Sequence, residues 1–122
     1  MKYVLVFLAF PFFIGCRANH WAEHKMDTYL RSDYIIKVSH LDDHQSFIEA
    51  YITHGGKEAL LKEMKFSKNL DSLMAGKYYP PFLKQDDKHI YNVVKGVGPY
   101  AYTLVCLEKA GNTMIIYEVF EG

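Results

Sequence analysis

The stretch YAYTLVCLEKAGNTMIIYEVF, residues 100–120, contains the strongest local structural signal in the chain. Two runs rich in β-branched and aromatic residues flank Gly111-Asn112, a pattern that predicts a β-hairpin. A two-residue turn would pair Cys106 with Tyr117. Both faces of the hairpin would then be largely apolar, which predicts a central place in a sheet that is covered on both sides. Helices would cover one face, and the N-terminal segment or a partner protein would cover the other.

Two further strands are predicted, at residues 33–40 and 89–95, because both segments are rich in Ile, Val and Tyr. Together with the hairpin, they indicate an α+β domain. Its sheet would contain about four antiparallel strands, one N-terminal and three in a C-terminal meander. Two or three helices would back that sheet.

The helices are predicted between the N-terminal strand and the meander. Asp42 can cap the first helix, and Gln45 completes a capping box three residues on. The apolar residues from Phe47 to Ile52 fit one helical face, and Gly55-Gly56 would end the helix. Two more helical segments follow: residues 57–65, which would bury Leu60, Leu61 and Met64, and a turn through Leu70, Leu73 and Met74, capped by Ser67 or Asn69.

The N-terminus reads MKYVLVFLAFPFFIGC, in which Lys2 is the only charged side chain. A positive start followed by an apolar run over residues 3–14 is typical of a secretory signal. The run is too short to span a bilayer, which needs about 20 residues.

The end of this run, Phe13-Ile14-Gly15-Cys16, resembles the lipobox of bacterial lipoproteins. The resemblance implies that Cys16 receives a diacylglyceryl group, that the signal is cut before it, and that the new N-terminus is acylated with palmitate-type chains. The chain would then divide into a signal peptide (1–15), a lipidated cysteine with a tether or short helix (16–32), and one α+β domain (33–122). Ordinary signal cleavage after Ala18 is the alternative.

An anchor of this kind predicts a place in the cell envelope. In Gram-negative lipoproteins an Asp after the cysteine retains the protein at the inner membrane, and this chain has Arg17. The resemblance therefore implies the outer membrane, facing the periplasm, if the source is Gram-negative. Removing Lys2 leaves one more acidic than basic side chain, so attraction to anionic lipid is not the expected means of attachment.

Composition narrows the classes of function. The chain has 122 residues with 14 basic and 14 acidic side chains, and this balance argues against nucleic acid as a partner. The sequence contains no nucleophile elbow and no phosphate-binding glycine loop, so we expect neither an enzyme nor a bound cofactor. Cys106, in an apolar stretch, is expected to be a buried structural thiol.

The alternative function is metal binding by an envelope lipoprotein through its N-terminal histidines. His20 and His24 form an H-x-x-E-H pattern, and His40 and His44 flank two aspartates. Both pairs could contribute to a metal site, but no metal is expected. Asp42 and Asp43 are explained by capping, and the H-x-x-E-H pattern lacks the length and the third ligand of a zinc peptidase.

The favoured function is non-catalytic binding of another envelope protein, of the immunity, exclusion, inhibitor or assembly-factor type. Tyr78, Tyr79, Pro80 and Pro81 are the candidate contact residues. Tyrosine offers a large contact area at low entropic cost, and the prolines keep this segment extended.

Overall fold

The computed structural model describes residues 13–74, 83, 85–98 and 100–120, with side chains from His20 onward. The elements in these ranges are α1 (Phe13–Tyr29), β1 (Tyr34–Leu41), β2 (Gln45–Ile52), α2 (His54–Glu63), α3 (Leu70–Met74), β3 (His89–Lys95), β4 (Tyr102–Glu108) and β5 (Thr113–Val119). The strands form one antiparallel sheet in the order β1-β2-β5-β4-β3. The predicted α+β fold and its C-terminal meander are confirmed, with five strands instead of about four.

The extra strand is β2, and the helix predicted to begin at Asp42 is wrong. Every second side chain of β2 is buried, and those between are half-buried or exposed. This two-residue period is that of a strand. The Asp42 carboxylate caps a turn between β1 and β2: its Oδ1 accepts from the backbone N–H of His44 at 2.8 Å and of Gln45 at 3.0 Å. An aspartate makes the same local hydrogen bonds at a helix start and in such a turn.

The glycines predicted to end that helix lie in the first turn of α2. Thr53 is the N-cap of this helix, and its hydroxyl accepts from the Gly56 N–H at 2.9 Å. Leu60 is buried as predicted, whereas Leu61 is 38% exposed. The short helix α3 is confirmed, with the Asn69 side chain accepting from the Ser72 N–H at its start.

The register of the C-terminal hairpin differs from the predicted one by two residues. Cys106 lies opposite Ile115, not Tyr117, because the β4–β5 loop contains four residues, 109–112, instead of two. A shift of two residues leaves every side chain on its predicted face, since the side-chain period of a strand is two. The two predicted faces of the hairpin are therefore correct.

Each face of the sheet carries its own hydrophobic core. The first core lies beneath α1 and α2 and includes Leu60, Val105, Leu107, Met114 and Ile116. The second lies between α3 and strands β3, β4 and β5. Its buried residues are Leu70, Met74, Leu83, Tyr91, Tyr102, Leu104, Cys106 and Tyr117.

Helix α1 belongs to the first core. Ala22, Met26 and Leu30 are buried against the sheet, and the Tyr34 hydroxyl donates to the Glu23 carbonyl oxygen and to the Asp27 carboxylate. Of the predicted tether or short helix at residues 16–32, residues 16–29 lie in α1 and residues 30–32 follow it. Among the described side chains, Ala22 is the first that is buried in the core.

Candidate functional site

An exposed apolar surface lies on β1 and β2, on the face opposite α1. Ile35, Val38 and Tyr51 are each 44–47% exposed there. Phe47 and Ile115 lie beside them and are half-buried. We call these five residues the β1–β2 strip. The strand register places them on one face, with Ile35 opposite Tyr51 and Ile115 opposite Glu49 on β2.

A bulge in β1 adds a charged pair to the strip. The register shifts between Ile36 and Val38, which leaves Lys37 as the extra residue. Its Nζ lies 3.6 Å from the Glu49 Oε2 and 5.5 Å from the centroid of the Tyr51 ring. Contact with Tyr51, followed by the charge of Glu49, raises the pKa of Lys37, so the ammonium group stays charged.

The bulge also affects how β1 can meet another protein. β1 and β3 are the two edges of the sheet. On β3, the backbone of Tyr91 exchanges two hydrogen bonds of 2.8 Å with Ser67, which covers part of that edge. On β1, the bulge and the charge of Lys37 disfavour pairing with a further strand. A partner would therefore contact the side chains of the β1–β2 strip instead of extending the sheet.

Cys106 is 3% exposed within the second core. Burial, followed by the negative charges of Asp86 and Glu108, raises the pKa of its thiol to about 12. A nucleophilic cysteine needs a thiolate near neutral pH. The environment of Cys106 disfavours that thiolate, which agrees with a structural role.

The histidine pairs lie on different parts of the fold. His20 and His24 are exposed on α1, whereas His40 lies opposite Phe47, on the other face of the sheet. His40 contacts Asp42 at 3.3 Å, and His44 lies in the turn after β1. Within the described ranges, no group of three or more His, Cys, Asp or Glu side chains is arranged to hold a metal ion.

A cavity of about 320 Å³ lies where β4 begins and β5 ends. Glu118 is the one carboxylate among its described lining residues. It already contacts the Lys25 Nζ at 2.9 Å and accepts from the Thr103 hydroxyl at 3.1 Å. General acid–base hydrolysis of the glycosidase type needs two carboxylates across a cleft, so this lining gives no such pair.

The side chains of two sets of predicted residues, Cys16 and the segment 78–81, lie outside the described residues. The backbone of Cys16 is part of α1, and its side chain is not among those described. Tyr78, Tyr79, Pro80 and Pro81 are also outside them, so their role in binding stays a prediction. Met74 and Leu83, the described residues that flank this segment in the sequence, are buried in the second core.

Comparisons with protein-family models, with curated proteins and with solved structures find no match to this chain. None of the described helices combines the length and apolar character that are needed to cross a bilayer.

Proposed function

We propose that this chain is a lipid-anchored protein of the bacterial envelope that acts by binding another protein, without catalysis. In a Gram-negative cell it would face the periplasm from the outer membrane. The observation that carries the binding function is the β1–β2 strip. It is an apolar surface that includes the edge strand β1, and its side chains Ile35, Val38 and Tyr51 are 44–47% exposed.

The strip is large enough to matter energetically. Full burial of an Ile, Val or Tyr-sized side chain contributes about 1.5–3 kcal/mol. Ile35, Val38 and Tyr51 retain nearly half of their exposure, so a partner that covers all three gains roughly 3 kcal/mol. Spread over the three residues, this gain is about 1 kcal/mol each, the size of an ordinary contact at an interface. The Lys37–Glu49 pair would add selectivity for a partner with matching charges.

The anchor rests on the sequence of the first sixteen residues. Two or more acyl chains on Cys16 would hold the protein stably, because each buried methylene contributes about 0.8 kcal/mol. Cys16→Ala should leave the signal uncut and the chain unlipidated. Mass spectrometry of the N-terminal peptide from cell membranes tests this, and a normally acylated Cys16→Ala chain would refute the assignment.

The binding function is tested by cross-linking in the native envelope. A photo-cross-linking amino acid replaces Val38 in the full chain, and a matched variant carries it at Lys62, which is exposed on α2 on the other face. We expect one stoichiometric protein adduct from position 38 and none from position 62. The absence of an adduct at position 38 in a lipidated, folded chain would overturn the proposal for this surface.

A further inference from the structure

Helix α1 points its N-terminal end toward one particular end of the sheet. Leu30, the residue after its last turn, lies beside the end of β2: a Cβ added to Gly56 would be 3.3 Å from the Leu30 side chain. Four to five residues earlier in α1, Lys25 reaches Glu118, next to the last residue of β5. The helix therefore runs back along the sheet and starts at the end where β5 finishes and β4 begins.

The loop at that same end carries the most exposed large apolar side chains of the described chain. It joins β3 to β4 through residues 96–101, and Val97 is 93% and Tyr100 74% exposed. Gly98 has a φ of 102°, which a turn at this position requires and which favours glycine. The cavity of about 320 Å³ lies between this loop and the end of β5, with Val97 and Phe120 in its lining.

The sequence that precedes α1 tells which surface this loop meets. Residues 3–12 are apolar, and Cys16 is the proposed acylation site. Because Cys16 lies near the start of α1, acyl chains on it would reach the bilayer from that end of the helix. Cys16 lies nine residues before Lys25, which is about 14 Å along a helix. Because Ala22 and Met26 fix α1 on the sheet, this short distance holds the loop close to the membrane.

We infer that the 96–101 loop inserts into the headgroup region of the bilayer, with Val97 and Tyr100 as its contacts. This inference rests on the anchor in the proposed function. Tyrosine is enriched at the lipid–water boundary, since its ring is apolar and its hydroxyl polar. Charges at this end are mixed, with Lys95 as the last residue of β3 and Asp42 and Asp43 in the β1–β2 turn, so the contact is apolar and does not need anionic lipid.

The contact fixes the orientation of the protein on the membrane. With the anchor and the loop on the same bilayer, the strands rise away from the lipid. The β1–β2 strip then faces sideways, where a neighbouring envelope protein can reach it.

Depth-dependent fluorescence quenching tests the inference. The full-length lipidated chain carries Trp21→Phe, which removes its one tryptophan, together with Val97→Trp. The matched control carries Ala110→Trp in the β4–β5 loop, which is exposed at the other end of β4, about 24 Å away. Both are placed in phosphatidylcholine vesicles with brominated acyl chains, and circular dichroism confirms folding. We expect at least twofold stronger quenching at position 97 than at position 110.

The experiment distinguishes an incorrect loop contact from an incorrect anchor assignment. Equal quenching at positions 97 and 110, in chains that float with the vesicles, overturns the loop contact and leaves the anchor intact. A chain whose N-terminal peptide lacks acyl groups, and which does not float with the vesicles, overturns the anchor and the inference with it.

Discussion

Lys57 holds the loop that sets the register of the C-terminal hairpin. The side chain is 8% exposed, and its Nζ donates to the carbonyl oxygens of Lys109 at 2.8 Å and Gly111 at 2.7 Å. Lys57→Met keeps most of the apolar stem and removes both hydrogen bonds. The two carbonyl groups of the β4–β5 loop then lose their charged donor.

The expected loss of stability follows from these two bonds. A hydrogen bond that involves a charged group contributes about 1.5–3 kcal/mol. The ammonium group gives up hydration to make them, which offsets part of the gain. We therefore expect the free energy of unfolding to fall by about 2–3 kcal/mol. With an m-value near 1.5 kcal/mol/M in urea, the midpoint should drop by about 1.5 M.

The assay is urea unfolding of the full chain in mild detergent, followed by the fluorescence of Trp21, which packs against the first core. Lys62→Met is the matched control, because it removes an exposed lysine from the same helix and should change stability by less than about 0.5 kcal/mol. If Lys57→Met and Lys62→Met unfold at the same urea concentration, the reasoning about the loop is refuted.

Three further outcomes can be measured on the same chain. Gly55→Ala should stabilise α2 by about 0.5–1 kcal/mol. Gly56→Ala should destabilise it by about 1–2 kcal/mol, because the new Cβ at position 56 would lie 2.5 Å from the Ser32 hydroxyl. Urea midpoints that move in the same direction for the two variants would contradict this. Ser46→Ala should raise the free energy of unfolding by about 0.5–1 kcal/mol, since the buried hydroxyl has no hydrogen-bond partner among the described residues; a lower midpoint would refute it. Cys106 should resist iodoacetamide at pH 8 until urea unfolds the chain, because burial raises the pKa of its thiol to about 12; rapid labelling of the folded protein, read by mass, would disprove this.

The candidate binding surface could not be predicted from the sequence, because residues 45–52 are predicted as a helix and form the strand β2. The sequence QSFIEAYI has apolar residues that fit one face of a helix, and Asp42 before it resembles a helix cap. The same residues also fit a strand whose alternate side chains are buried. A helix at residues 45–52 would not pair Tyr51 with Ile35, so only the pairing of β1 with β2 groups these two side chains into one surface.

Elements whose signals are local could be predicted from the sequence. The strand at residues 89–95, the short helix at Leu70 and the two faces of the C-terminal hairpin all follow from composition and period within a few residues. The tertiary structure sets the conformation of residues 45–52, because hydrogen bonding to β1 and β5 on both sides outweighs a local pattern that suits either a helix or a strand. It also decided the length of the hairpin loop, since the ammonium group that holds its carbonyl oxygens belongs to Lys57, more than 50 residues earlier in the chain.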